Sequence, residues 1–346
     1  MGSTAVVGPL GIGGVRYITE KLLEALKREG MAVDRVVIDG NLLGQAFSYI
    51  KKMRFLQQYQ DIIFTGSIPP QMHIFINNRV KVALFIHGFI YNELSGAITQ
   101  APPRIKAGAL YLLSQWNFTR LFNRIDLYIC HSITACEANK IYDEFILIPQ
   151  FIFPEEIQQY MEKSKSVKNN DGKTIKVMTY ASFGDSPRLL KEHSLLTLMK
   201  LVSKQVNKEI EFIIINPSAT AKKEYIGNLV VKWMPYLPRE QFLKLLADSD
   251  LYIERCIDEE LGLGSIDSVL MGTPIAKLTH SFYVDRQDYT NEVIWESSLN
   301  KLVNAISDYL KNVEYWKPFY VKRLGEFLLN KRNWDHIKEP LIKFLK

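Results

Sequence analysis

Short apolar runs alternate with helical patterns along most of the chain. In the first half the runs occupy residues 5–7, 33–38, 61–65, 81–86, 126–130 and 145–148. A polar stretch at 163–173, rich in Lys, Ser and Asn, predicts an exposed linker. A second series of runs lies at 176–180, 212–215, 229–231, 251–253 and 274–278. Because strands that alternate with helices form mostly parallel sheets, we predict an α/β fold. It consists of two doubly wound Rossmann-like domains with a cleft between them.

A glycine-rich stretch at residues 8–16 follows the first predicted strand. The next helix is predicted to begin after Gly14 and to end at Gly30. Such a loop can open a dinucleotide-binding unit, in which a third glycine lets the helix pack closely on the strand. Counting from Gly11, that position holds the bulky Arg16. The dinucleotide fingerprint therefore fails, and a nicotinamide-dependent oxidoreductase is kept only as an alternative.

The chain has 346 residues, of which 47% are hydrophobic and 23% are charged. These values suit two well-packed domains of ordinary size. No apolar run approaches the length of a transmembrane helix, and we expect no secretion signal. The three cysteines are an odd number and lack metal-ligand spacing, so we predict reduced thiols in the core and a cytoplasmic protein. They are Cys130, Cys136 and Cys256.

Positive charge is concentrated between residues 46 and 124. This part of the chain carries nine Lys or Arg residues and two acids, a net charge of +7 against +6 for the whole chain. Aromatic residues are interspersed with the bases, as on surfaces that rest on anionic membranes. We see no nucleic-acid-binding motif and expect no nucleic-acid partner. A peripheral membrane surface and an ordinary solvated face are both left open.

Residues 254–276 combine two acids, a glycine turn and an apolar helix. Glu259 and Asp267, eight positions apart, bracket the turn, and Ser265 is predicted to cap the helix that ends at Gly272. Free N–H groups at the start of a helix favour a phosphate. Carboxylates repel phosphate, so we expect Glu259 and Asp267 to accept hydrogen bonds from hydroxyls. Phosphate beside polyol hydroxyls describes a sugar nucleotide.

This segment resembles the signature of the retaining glycosyltransferases of family four, which have the GT-B fold of two Rossmann-like domains. The usual form is Glu-Gly-Phe-Gly-Leu-Pro-x-x-Glu-Ala-x-Ala-x-Gly-x-Pro-Val. The two acids of that signature fall on Glu259 and Asp267, and five further positions match in register: Gly262, Leu263, Gly272, Thr273 and Pro274. The chain departs from the signature at Asp267, where glutamate is usual, and at Glu260, where glycine is usual.

The resemblance implies a donor site in the second domain. Glu259 would hold hydroxyls of the sugar, and Asp267 would hold the ribose. Lys191 would bind the diphosphate together with the turn of Gly262, Leu263, Gly264 and Ser265. Arg188 is the nearest substitute for a family arginine whose position Ser182 occupies. Gly13 and Gly14 would approach the donor from the first domain.

The resemblance also implies which residues are catalytic. His87 follows the predicted strand at 81–86 and matches a family histidine that lies beside the transferred sugar. We expect it to position the sugar rather than attack it. The expected catalytic residues are therefore His87, Glu259 and Lys191.

No metal site is expected. Residues 248–250, Asp-Ser-Asp, have the composition of a metal-binding motif, but they precede a predicted strand and indicate a turn. We expect no cofactor other than the donor substrate, a UDP- or GDP-sugar.

The resemblance assigns residues 1–155 to an acceptor-side domain, 156–173 to a linker and 174–315 to the nucleotide-sugar-binding domain. Residues 316–346 would form a helical segment that packs back on the first domain. The expected activity is metal-independent retaining hexosyl transfer to a saccharide or to a lipid-linked acceptor at a membrane surface. A non-catalytic sugar- or membrane-binding relative is the other alternative.

Overall fold

A computed structural model describes most of the chain, in ranges separated by gaps. They are residues 3–9, 14–38, 48, 51–52, 54–65, 76–86, 125–139, 141–142, 145–165, 174–180, 189–216, 219–254, 261–278 and 292–346. The chain divides into two compact units. The first comprises Met1–Pro149 with Ile337–Lys346, and the second comprises Gln150–His336.

The helices and strands alternate in both units. Up to residue 149 they are β1 (Thr4–Pro9), α1 (Gly14–Arg28), β2 (Val33–Ile38), β3 (Asp61–Phe64), β4 (Lys81–Ile86), β5 (Leu127–Cys130), α2 (Ile133–Ala138) and β6 (Phe145–Leu147). The next are α3 (Pro154–Lys165), β7 (Thr174–Tyr180), α4 (Leu189–Ser203), β8 (Glu209–Ile215), β9 (Lys222–Ile226), β10 (Leu229–Met234), α5 (Arg239–Ala247) and β11 (Leu251–Glu254). The remainder are α6 (Leu263–Leu270), β12 (Ile275–Leu278), β13 (Ile294–Glu296), α7 (Leu299–Lys311), α8 (Val313–Phe327), α9 (Trp334–Ile337) and α10 (Glu339–Leu345).

The first unit contains a six-stranded parallel sheet in the order β2-β1-β3-β4-β5-β6. Strand order reverses beside β1, which lies between β2 and β3. At this reversal a Cβ on Gly8 would lie 2.5 Å from the Thr65 hydroxyl, so the position requires glycine. The glycine-rich stretch predicted to contact a ligand therefore follows the strand at the switch point of this sheet.

The second unit contains a seven-stranded sheet in the order β13-β12-β11-β7-β8-β10-β9. Every pairing is parallel except that of β9 with β10. Successive residues of β7 pack on opposite faces: Val177 joins a core with α4 and α7, and Met178 joins one with α5. Burial on both faces explains why the central strands have continuous apolar sequences.

The predicted α/β class with two Rossmann-like units is confirmed. Two strands were missed. β9 has the polar sequence Lys-Lys-Glu-Tyr-Ile and lies at the sheet edge, where three of its five residues are exposed. β13 is only three residues long. Such short or exposed strands lack the apolar run on which the prediction depended.

The C-terminal residues divide between the two units. In α8, Leu324 and Phe327 belong to a core cluster of the second unit. The following helix α10 packs on the first unit, where the Lys81 ammonium donates to the Phe344 carbonyl at 2.8 Å. Lys338 pairs with Glu29 at 2.9 Å. The sequence-based boundary at residue 316 thus falls inside a helix of the second unit.

Cys130 and Cys136 correct a sequence prediction. Both side chains are buried in the core, as expected. However, they form a disulfide rather than remaining reduced, because the end of β5 and the helix α2 bring their Cα atoms to 5.8 Å. The cysteines therefore do not support a reducing compartment. Cys256 lies outside the described residues. Within the described part of the chain, no helix is long and apolar enough to cross a membrane.

Asp61 is a buried carboxyl at the start of β3, in register with Thr4 and Lys81 on the neighbouring strands. Burial raises the pKa of this carboxyl above its ordinary value of 3.8, while Lys81 and the Thr4 hydroxyl act in the opposite direction. The stability that the neutral carboxyl contributes is therefore present below its unfolded-state pKa and is lost as pH rises through the raised folded-state pKa.

We predict that Asp61→Asn raises the midpoint of thermal unfolding at neutral pH by a few degrees, corresponding to about 1 kcal/mol. The gain should shrink as pH falls into the ordinary carboxyl range, because wild-type Asp61 then becomes neutral too. Thermal scans of both proteins across this pH range would check it. A variant that is less stable at every pH would show that Lys81 fully compensates the buried charge.

Candidate functional site

The switch point of the second sheet lies between β7 and β11. Ligands of open α/β sheets bind outside the carboxyl ends of the strands at such a point. Here the Thr179 hydroxyl of β7 donates to the Ile253 carbonyl of β11 at 2.8 Å, joining the two strand ends. Glu254 is the last residue of β11, and the helix that follows is α6. The segment predicted to bind the donor therefore begins at this edge.

The start of α6 depends on two glycines. Gly262 is the N-cap, with φ −68° and ψ 173°, and no side chain caps the helix. A Cβ on Gly264 would lie 2.3 Å from the Tyr252 hydroxyl, so only glycine fits against the strand. Leu263 is the first residue of the helix. The predicted glycine turn thus brings the helix start close to the strand.

The predicted capping role of Ser265 is wrong. Ser265 is the third residue of α6 and is fully buried. Its hydroxyl donates to the Glu254 carboxylate at 2.6 Å instead of accepting from a backbone N–H. Gly262 takes the capping position because the helix begins three residues earlier than the prediction placed it. The Ser265 side chain consequently faces the strand.

Glu254 and Lys277 are buried charged residues to which the sequence assigned no role. They are register partners on the parallel strands β11 and β12, so their side chains share one face of the sheet. Glu254 is 6% exposed and Lys277 is 0% exposed. Charged residues at the ends of otherwise apolar strands were a signal in the sequence, because lysine and glutamate are rarely buried without partners. Opposite charges are therefore buried on neighbouring strands, and Glu254 also accepts the hydrogen bond from Ser265 of α6.

Asp267 lies in the second turn of α6, and its carboxylate is bound by Arg239 at the start of α5. The two guanidinium nitrogens donate to the two carboxylate oxygens at 2.8 and 2.6 Å. The Asp267 side chain is 6% exposed and that of Arg239 is 45% exposed. The sequence did not reveal this pairing, because the two residues lie 28 positions apart on different helices.

Only two of the other predicted site residues belong to the described part of the chain. Gly14 begins α1, and Lys191 lies in the first turn of α4. His87, Gly13, Arg188 and Glu259 lie outside the described residues, so their predicted roles stay predictions.

The acids at 248–250 lie at the opposite edge of the sheet, before β11. Asp248 caps the end of α5. The Asp250 carboxylate accepts the Lys176 backbone N–H at 3.0 Å and pairs with Lys317 at 3.2 Å. The Asp250 carboxylate is therefore used structurally, and Asp248 takes part through its backbone. Among the described residues, no group of three His, Cys, Asp or Glu side chains could hold a metal ion.

The basic stretch at 46–124 is only partly described. Lys51 and Arg54 are exposed, and Phe55 is 47% exposed. Lys52 donates to the Val37 carbonyl and Lys81 to that of Phe344, so both of these bases have structural partners. Five other basic or aromatic residues of this stretch, which could also contact a membrane surface, lie outside the described part: Arg104, Lys106, Tyr111, Trp116 and Arg120.

Several solved structures resemble the whole chain. HepE from Anabaena in complex with UDP-glucose has a TM-score of 0.62 at 13% identity, covering 100% of this chain and 99% of that one. Sucrose-phosphate synthase from Thermosynechococcus elongatus has a TM-score of 0.69 at 14% identity, covering 99% and 98%. This chain has the GT-B fold. No family model and no curated protein matches the sequence.

A third structure with this fold is an alpha-glucosyltransferase in complex with UDP and a 13-mer DNA that contains a central A:G mismatch. Its TM-score is 0.63 at 10% identity, and the match covers 100% of both chains. At these identities the likeness shows the GT-B fold alone.

We predict strong coupling between Glu254 and Lys277. Glu254→Leu or Lys277→Met alone should lower the free energy of unfolding by about 3–5 kcal/mol, because each removes one of two opposite charges buried on the same face of neighbouring strands. The double variant should recover most of the loss, because an apolar pair replaces both charges. Urea unfolding of all four proteins measures the coupling. Additive losses would show that the two charges do not compensate each other.

Proposed function

We propose that the protein is a glycosyltransferase that moves a sugar from a nucleotide-sugar donor to an acceptor hydroxyl. The observation that carries this proposal is the GT-B fold along the whole chain, combined with the glycine turn at the switch point of the second sheet. HepE and the alpha-glucosyltransferase support the choice of ligand, because their structures are complexes with UDP-glucose and with UDP.

The donor would bind at the carboxyl edge of the second unit. Asp267 would accept hydroxyl groups of the ribose, and Glu259 would accept those of the sugar. Backbone N–H groups from Gly262 to Ser265 would bind the diphosphate with Lys191, Arg188 being the further candidate cation. Cations and amides held in place stabilise the negative charge that develops on the departing diphosphate. The glycine requirement at position 264 supports this arrangement, because it keeps the helix start in place.

We further propose retention of the anomeric configuration without a metal ion. The family resemblance of the 259–274 segment supports retention. The structural use of the Asp250 carboxylate supports metal independence, because Asp250 belongs to the Asp-Ser-Asp sequence that formed the strongest metal-site candidate. His87 would position the sugar.

Transfer from UDP- and GDP-sugars to simple saccharides, followed by NMR in the presence of EDTA, tests the proposal. We predict a product whose new glycosidic bond keeps the configuration of the donor. An inverted product would exclude retention, and a strict requirement for added magnesium or manganese would exclude metal independence. Donor binding without hydrolysis or transfer to any acceptor would favour a non-catalytic sugar-binding protein.

The acceptor is proposed to be a saccharide, either free or linked to a lipid. The charge of +7 between residues 46 and 124 supports attachment to an anionic membrane. Sedimentation with anionic vesicles at low salt separates the two cases. Binding that high salt abolishes supports the lipid-linked acceptor, and the absence of binding favours a free saccharide.

Glu259 and Asp267 are expected to affect different steps. Glu259→Gln should abolish transfer and leave the affinity for free UDP nearly unchanged, because Glu259 is assigned to the sugar. Asp267→Ala should weaken UDP binding by about 1–3 kcal/mol, the range for a hydrogen bond to a charged group. Calorimetry with UDP measures both effects, and thermal unfolding controls for the buried position of Asp267. Equal losses of affinity in the two variants would contradict this division of roles.

A further inference from the structure

The arginine that pairs with Asp267 stands at the same sheet edge as the proposed donor site. Arg239 is the first residue of α5, which begins shortly after the carboxyl end of β10. Asp267 lies one turn beyond the start of α6. Their ion pair therefore connects the beginnings of two helices that follow strands of one sheet. The guanidinium group of Arg239 therefore lies at the sheet edge where the donor is proposed to bind.

The geometry of the pair orients this guanidinium. Both carboxylate oxygens of Asp267 accept hydrogen bonds from Arg239, at 2.8 and 2.6 Å. This bidentate arrangement fixes the plane of the guanidinium group. The carboxylate is buried, whereas the arginine side chain is 45% exposed. A cation held this way loses little further rotational freedom when it binds an anion.

Stability alone is a weak reason for this arrangement. The buried Asp267 carboxylate needs a partner, but a partner that only compensated this charge would not need a side chain that is 45% exposed. Guanidinium groups, in contrast, match phosphate oxygens and are favoured wherever phosphate is bound in a defined orientation. The chain also has serine at position 182, where the family it resembles has a phosphate-binding arginine.

We propose that Arg239 binds the diphosphate of the donor nucleotide and that Asp267 orients it. This inference rests on the proposed use of a nucleotide-sugar donor. Asp267 would then serve two partners at once, because an ionised carboxylate can accept about four hydrogen bonds. Arg239 donates one hydrogen bond to each carboxylate oxygen. A ribose hydroxyl would donate to one of the remaining acceptor positions of the same carboxylate.

The test compares ligands with and without phosphate. UDP affinity is measured by calorimetry and uridine affinity by NMR titration, for the wild type, Arg239→Gln and Arg239→Lys. GDP and guanosine serve in the same way if the wild type prefers guanine. Arg323→Gln is the matched control, since Arg323 is exposed in the same unit and lies over the Phe319 ring at 4.6 Å.

Arg239→Gln should weaken UDP binding about 10- to 100-fold, as expected for a lost hydrogen bond to a charged group, and should leave uridine affinity unchanged. Arg239→Lys should recover part of the affinity, because lysine keeps the charge and loses the two-pronged geometry. The KM for the donor should rise in parallel. The control Arg323→Gln should bind UDP like the wild type.

Three results would overturn the inference. If Arg239→Gln binds UDP as tightly as the wild type does, Arg239 is not a phosphate ligand, and the proposed glycosyltransferase function stands. If UDP and uridine affinities fall equally, Arg239 acts on the nucleoside and not on the phosphate. A wild-type protein that binds neither UDP nor GDP would refute the proposed function and this inference together. Thermal unfolding of each variant confirms that the comparison concerns folded proteins.

Discussion

The reversal of strand order beside β7 is the constraint on which the candidate site depends. β8 lies on one side of β7 and β11 on the other, and the helices that follow β7 and β11, α4 and α6, pack on opposite faces of the sheet. The carboxyl ends of β7 and β11 therefore remain accessible to a loop and a helix start. The Thr179 hydrogen bond to the Ile253 carbonyl fixes the two ends to each other. The position of α6 follows from this arrangement.

The buried charges of Glu254 and Lys277 are a second constraint on the candidate site. Glu254 accepts the Ser265 hydroxyl, and its register partner is Lys277. Removing such groups from water costs several kcal/mol for each ion, so they persist only where hydrogen bonds and opposite charge compensate. The compensation requires the start of α6 to stay beside β11. We infer that these charges hold the glycine turn in one conformation, as a site that binds phosphate through backbone N–H groups requires.

The sequence predicted the fold well and the side-chain contacts of the candidate site poorly. Apolar runs revealed the central strands because both faces of each sheet are covered, whereas the exposed β9 left no such pattern. The turn at Gly262 and Gly264 was found because its glycines and acids are close in sequence. The partner of Asp267 was missed because Arg239 approaches from another helix, and the role of Ser265 was missed because helix starts are set by contacts with the strand. The disulfide between Cys130 and Cys136 was also missed, because it depends on how β5 and α2 are placed in the first unit.

Hydrogen exchange with and without UDP tests the central claim most directly, namely that the carboxyl edge of the second sheet binds the donor nucleotide. We predict slower exchange of the backbone amides from Gly262 to Ser265 when UDP is bound, because these groups would donate to the diphosphate. Protection confined to the glycine-rich stretch after β1, with no change between Gly262 and Ser265, would contradict this claim. That result would instead favour the dinucleotide-binding alternative in the first unit.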